Sequence, residues 1–330
     1  MRTSKASLFL FIVFYNFLSL RLLVFPYFYD TYGINGNMYI GIILTIVSIL
    51  FMIIPKKIFN YNIFNLYIKS KFKYFYNMII FLRIILFIII LSYIIHEMFY
   101  KDIMPIFLII GLLLPIIILS KLKPYEVIEI YTFFGILSLL FYSIYISNFT
   151  NIDVFMLFRN FEFKPNLFMI LLFSLIIFFD NLLLILSDNV SLTKNNMLLS
   201  LGICGMIFSF EYILFSLTAG DILYKGNLFS GLMVFSISPI SRFNGTFDFV
   251  YIFILTTSSI FKNAYMLSLT SYTNNSKNIY YSAICIISIL CFACYFLFFN
   301  YINKLIFTMM IVLMLSGIFS IWLMWRYRNA

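Results

Sequence analysis

Charge is scarce in this chain: Asp, Glu, Lys and Arg together make up 10% of its 330 residues, and histidine occurs once, at His96. A single histidine cannot supply a His-based catalytic triad or a multi-His metal cluster. No Gly-rich phosphate loop and no H-E-x-x-H helix occurs, and Gly220-Asp221 lacks the second glycine of the intramembrane aspartyl protease pattern. Cysteine is also sparse, at four residues. Cys204, Cys285, Cys291 and Cys294 all fall in apolar runs, and Cys291-x-x-Cys294, although spaced like a redox or zinc pair, has no acidic or His neighbour and no second pair. The cysteines read as buried thiols. The expectation is a protein with no metal, no cofactor and no enzymatic chemistry.

What is abundant is apolar: hydrophobic residues are 64% of the chain and aromatics 21%, with a mean hydropathy of +1.05. That composition belongs to an all-α polytopic membrane protein. A helix needs about 20 apolar residues to cross the hydrocarbon. Read by that length, the chain has about ten spans, near 7–26, 38–55, 76–96, 103–120, 127–148, 167–187, 197–219, 247–269, 279–299 and 304–325. The first is not a cleavable signal peptide, because its apolar run is too long and Pro26-Tyr27-Phe28-Tyr29 offers no small-residue cleavage site. No loop is long enough for a soluble module, so 1–330 reads as a single transmembrane domain.

Loop charges orient the bundle, since short cytoplasmic loops collect Lys and Arg. Arg2, Lys5, Lys56, Lys57, Lys69, Lys71, Lys73, Lys121, Lys123, Lys194, Lys277, Arg326 and Arg328 fall on one side. The other side holds Lys101, Arg159, Lys164, Lys225, Arg242 and Lys304, diluted by Asp30, Glu97, Asp102, Asp153, Glu162 and Asp221. Both termini are therefore expected in the cytoplasm. The formal charge of +10 is largely this bias. It speaks for topology and contact with anionic membrane lipids, and against nucleic acid as a partner.

Arg21, Arg83, Asp180, Glu211 and Lys262 stand apart, because they sit inside the apolar runs. A charge at membrane depth costs about 2.5–3.5 kcal/mol even on the lenient insertion scale, so such a residue is expected to face a partner, a cavity or a substrate path. The first span carries Asn16, Ser19 and Arg21 and ends at Pro26; the sixth carries Ser174 and Asp180-Asn181. Both look interrupted, and as first and sixth of ten they occupy equivalent places in two five-helix halves. Inverted-repeat transporters place broken helices around a midplane site in this way. The predicted small-molecule site is therefore Ser19, Leu20, Arg21 and Leu22 with Ser174, Phe179 and Asp180, and Arg21 and Asp180 are expected either to form an ion pair across the gap or to contact the ligand. Glu211 is expected to be buried, and either protonated or paired with a cation such as Arg83. Lys262 follows the run Thr256-Thr257-Ser258-Ser259, which either lines a polar path or bonds within and between helices. Lys262 itself has a polar partner or snorkels to the interface.

The residues resemble the B subunit of GerA-type spore germinant receptors, the endospore germination permeases of the amino acid–polyamine–organocation superfamily. The first helix of that family ends in a run of the type Gly-Thr-Ser-Ile-Leu-Phe-Leu-Pro; here Ser19-Leu20-Arg21-Leu22-Leu23-Val24-Phe25-Pro26 is followed by Gly33 and Gly36. Pro124-Tyr125-Glu126-Val127-Ile128 echoes a Gly-x-Glu-x-Ile after the fourth helix, Lys164-Pro165 a Lys-Pro before the sixth, and Phe179-Asp180 an aromatic-acidic step within it. Asp248 through Phe261, Lys262 and Ala264 follow the eighth-helix pattern. The chain departs from the family at Ser19 for glycine, Arg21 for a small residue, Thr246 for arginine and Leu255 for a frequent tryptophan.

The resemblance implies a five-plus-five inverted-repeat, LeuT-like bundle in a bacterial spore inner membrane, beside an A-type subunit and a lipoprotein C-type subunit. It implies a germinant-sensing, transporter-like receptor subunit that binds a small solute such as an amino acid, with specificity altered by Arg21. The alternative is a stand-alone secondary transporter, an amino acid permease coupled to protons or sodium. A membrane enzyme of envelope polymer synthesis is disfavoured by the short outer loops.

Overall fold

The computed structural model describes residues 4–53, 73–98, 105–147, 164–186, 194–218, 246–274 and 302–329, with single residues and a short helical stretch between 284 and 293. Nearly all of these are helical. The helices are α1 (Lys5–Ser19), α2 (Phe25–Tyr32), α3 (Gly36–Ile53), α4 (Lys73–Met98), α5 (Pro105–Leu119), α6 (Pro124–Ser147), α7 (Leu167–Leu186), α8 (Lys194–Thr218), α9 (Thr246–Asn274) and α10 (Ile302–Asn329). Among the described residues six helical stretches are long and apolar enough to cross a membrane: Lys5–Phe28, Gly36–Ile53, Asn77–His96, Pro124–Ser143, Asn195–Leu214 and Ile252–Thr270. Ile106–Leu119, Leu167–Leu182 and Lys304–Phe319 are apolar but shorter. They lie at the expected fourth, sixth and tenth spans, whereas most of the expected ninth, 279–299, lies outside the described residues.

The chain is an all-α membrane protein by its surface as well as its composition. Phe107, Phe133, Leu140, Phe168, Leu171 and Met206 all project outward. An outward face this apolar suits lipid and not water.

The first expected span does not stop at Pro26. Ser4 caps α1 by accepting the Ser7 backbone N–H at 3.0 Å. The chain then widens into a π-helical turn over Leu20–Val24, in which the Phe25 N–H donates to the Leu20 carbonyl, and continues as α2 to Tyr32. A proline ring inside a regular helix clashes with the carbonyl four residues back. The wider turn just upstream of Pro26 changes that register, so the helix is distorted and not broken. A 3-10 turn follows at Gly33–Asn35, where Gly33 has φ 58°.

The sixth expected span, α7, is not interrupted either; it runs as continuous α-helix from Leu167 to Leu186. Its polar residues bond back along the helix. Ser174 Oγ donates to the Ile170 carbonyl at 2.6 Å and Asn181 Nδ2 to the Ile177 carbonyl at 2.9 Å. Such back-bonding satisfies a hydroxyl or amide in an apolar setting without opening the backbone.

α1 is the axis of the bundle. Every residue from 11 to 26 is buried, as expected of a helix apolar all round. It packs against α6, α7, α8 and α9; α9 also packs on α4, α5 and α6, α3 bridges α7 and α8, and α10 closes against α4 and α7. Residues 54–72, 148–163 and 219–245, which carry much of the charge asymmetry, lie outside the described residues.

Candidate functional site

Helical spacing on α1 sorts its polar residues into two faces. Tyr15 and Ser19 are four apart and share one face, whereas Ser19 and Arg21 are about half a turn apart. Ser19 therefore points to α7 and α9, and Arg21 points to α8. The five intramembrane charges follow this division into two buried clusters.

The first cluster joins α1, α4, α7 and α9. Arg83, Asp180 and Lys262 are 2%, 6% and 1% exposed. Arg83 Nε forms an ion pair with Asp180 Oδ1, and Lys262 Nζ lies 3.0 Å from Asp180 Oδ2. Lys262 Nζ also donates to Ser19 Oγ and to the Tyr15 carbonyl at 3.3 Å. The Ser19 hydroxyl lies 2.6 Å from Asp180 Oδ2 and 2.9 Å from the Tyr15 carbonyl, so its single proton serves one of the two at a time. The Tyr15 hydroxyl donates to the Asp180 carbonyl at 3.1 Å. Lys262 Nζ sits 4.0 Å from the Tyr15 ring centroid and 4.2 Å from that of Phe87, and Arg83 Cζ lies 4.8 Å from Tyr15. These contacts are close enough for cation–π attraction. Phe87, one turn beyond Arg83, shares its face.

The second cluster joins the π turn to α6 and α8. Arg21 Nη2 forms an ion pair with Glu211 Oε2, and the Tyr142 hydroxyl donates to Glu211 Oε1 at 2.6 Å. The Arg21 guanidinium carbon lies 4.4, 4.9 and 5.4 Å from the ring centroids of Phe25, Phe208 and Phe17. Phe17, Arg21 and Phe25 follow one another at four-residue steps, while Phe208 and Glu211 are one turn apart on α8, so a cage of three rings and one carboxylate encloses the cation.

The expected pair between Arg21 and Asp180 is thus not the one that forms. Arg21 is held by Glu211, and Asp180 by Arg83 and Lys262. Lys262 does not snorkel, and the cation that reaches Glu211 is Arg21, not Arg83. Leu20, Leu22 and Phe179 are buried packing residues beside these clusters. Ser174 bonds only its own helix among the contacts described. Thr257 does likewise, donating to the Phe253 carbonyl at 2.6 Å. Asp248 lies in the first turn of α9, and its side chain is outside the described residues.

Sequence reasoning missed Tyr15, Phe87, Tyr142 and the ring cage. The readable signal was spacing: Tyr15 and Phe87 each stand four residues from a polar site residue, and two of the cage rings stand four residues either side of Arg21. Asn16 ties α1 to α8 through Nδ2 to Ser200 Oγ at 2.8 Å, a structural bond outside both clusters. Cys204 is a buried thiol 3.4 Å from the Val13 carbonyl, and Cys291 is also buried; Cys285 and Cys294 lie outside the described residues. Among the described residues no group of His, Cys, Asp or Glu is arranged to hold a metal ion. Neither protein-family models nor curated proteins yield a match to this chain.

Proposed function

We propose that this chain is a transporter-like membrane protein that senses a small solute, acting as the germinant-binding subunit of a spore nutrient receptor together with A-type and lipoprotein C-type subunits. One observation carries the reading: five ionisable side chains are buried inside an apolar bundle and paired across the π turn, α4, α7, α8 and α9. Buried charge at membrane depth is costly and concentrates where ligands or ions are handled. A single residue inserted in a lipid-facing helix would not produce such a convergence.

The π turn supports the same reading. π-bulges occur often at functional sites, and this one brings Arg21 to Glu211 on one side of α1 while Ser19 meets Asp180 and Lys262 on the other. The proposed architecture is a ten-span, five-plus-five inverted repeat in a bacterial inner membrane with both termini in the cytoplasm, supported by the span lengths and loop charges. The continuous α7 departs from the broken sixth helix of such folds, so the site relies on side chains more than on freed backbone groups. A stand-alone secondary transporter for small solutes, coupled to protons or sodium, would use the same charges, with Asp180 or Glu211 carrying the coupling.

The test is genetic and physiological. Co-transcription with genes for an A-type subunit and a lipoprotein, with spores of a deletion strain failing to respond to a nutrient that triggers the parent, is the expected result. Expression in growing cells, with loss of solute uptake and unchanged germination, would reject the receptor in favour of the transporter.

A further inference from the structure

Lys262 and Arg83 share the Asp180 carboxylate but differ in how fully their protons are used. The Lys262 ammonium has three N–H groups and three acceptors: the Tyr15 carbonyl, Ser19 Oγ and Asp180 Oδ2. Arg83 engages Asp180 through Nε alone. All three of its guanidinium nitrogens are buried without a hydrogen-bond acceptor among the described residues, and only Nε faces a carboxylate, as an ion pair; Nη1 and Nη2 face none. The faces of Tyr15 and Phe87 attract the guanidinium.

The charge count agrees with the hydrogen-bond count. Two cations share one carboxylate, so the cluster carries one excess positive charge, and the end of Arg83 whose protons are unmatched carries it. A buried charge without hydrogen-bonding partners is among the costliest features a protein can keep. A guanidinium edge with two unpartnered nitrogens matches the two oxygens of a carboxylate side by side.

We propose that Nη1 and Nη2 of Arg83 are the receptor for one small monocarboxylate, whose two oxygens take the fork and whose single negative charge neutralises the cluster. A zwitterion brings no net charge and would leave the excess in place, so the ligand is a net monoanion. This rests on the reading of the bundle as a solute-binding device and names the chemistry of the solute.

The test uses the full chain in lipid nanodiscs, with thermal unfolding and isothermal titration at constant ionic strength in chloride, and with acetate, lactate, nitrate and alanine as probes. Saturable binding of acetate or lactate is expected, weakened at least tenfold in Arg83→Lys, which keeps the charge and loses the planar fork. Lys262→Met, which removes the excess charge, is expected to weaken binding as well. Nitrate competing with the carboxylates would support the same planar-anion chemistry. Saturation by nitrate or alanine but by no monocarboxylate, or undiminished carboxylate binding in Arg83→Lys, would overturn the proposal. So would the absence of saturable carboxylate binding to the wild-type chain, whatever the variants do. A deletion strain that still loses its nutrient response or its uptake would then keep the broader functional reading while this one fell.

Discussion

Lys262 Nζ lies 3.0 Å from Asp180 Oδ2, across 82 positions of sequence and between two different helices. Because Oδ1 of the same carboxylate holds Arg83, one acid separates two buried cations. Asp180→Asn should therefore be the most damaging neutral substitution in the bundle. Breaking a buried pair by removing one partner costs about 3–5 kcal/mol, and here it strands two like charges. The expected result is a large drop in folded yield and in the thermal midpoint in detergent. Adding Lys262→Met to Asp180→Asn should recover part of the loss by removing one stranded cation. A single mutant with wild-type yield and midpoint would show that the carboxylate does not hold the cluster together.

Charge reversal distinguishes the observed pairing from the one suggested by position in sequence. Arg21→Glu combined with Glu211→Arg keeps opposite charges facing each other and should restore folded protein lost in either single variant. Arg21→Asp combined with Asp180→Arg should restore nothing, since it places an aspartate against Glu211 and an arginine against Arg83 and Lys262. Rescue by the second combination and not the first would reverse the assignment. The comparison is a double-mutant cycle, with folded yield and thermal midpoint as readouts.

The class of the protein and most helix positions were legible because a bilayer imposes long apolar runs on any chain that crosses it. Burial of Arg21, Arg83, Asp180, Glu211 and Lys262 was legible for the same reason. Their partners were not. Which cation meets which carboxylate depends on the rotation of each helix about its axis, and a run such as Leu167–Leu186, apolar on nearly every side, carries little periodicity to fix that rotation. Polar residues in the first and sixth spans suggested broken helices, yet Ser174 and Asn181 bond to their own helix and Pro26 is accommodated by a π turn. The half-turn offset of Ser19 from Arg21 was present in the sequence. It already argued that both could not face Asp180.

Two hydroxyls of similar appearance should behave differently. Thr257 Oγ1 donates to the Phe253 carbonyl within α9, so Thr257→Val should change stability by less than about 1 kcal/mol and leave the solute response unchanged. Ser19 Oγ accepts from Lys262 and touches Asp180. Ser19→Ala removes a hydrogen bond to a buried charge, worth about 1.5–3 kcal/mol, and should lower both the thermal midpoint and the solute response. Equal effects of the two substitutions would mean that α9 presents Thr257 to the site after all.

Gly317 on α10 sets how closely that helix approaches α7 beside the charged cluster. A methyl group at this position would come within 2.9 Å of Phe179 Cβ and closer still to its ring, with Asp180 as the next residue along α7. The obstacle includes the root of the side chain and not only its flexible end, so the helices themselves must shift. Gly317→Ala should then cost about 1–3 kcal/mol as overpacking, although alanine favours a helix over glycine. Gly111 and Gly41 are the controls, since an added methyl meets nothing within 4 Å at either site. Gly111→Ala and Gly41→Ala should be neutral or slightly stabilising. Combining Gly317→Ala with Phe179→Ala should relieve part of the clash, giving a smaller loss than the two single losses added together. Strict additivity in thermal midpoint would separate Gly317 from Phe179 and place the close approach of α10 and α7 elsewhere.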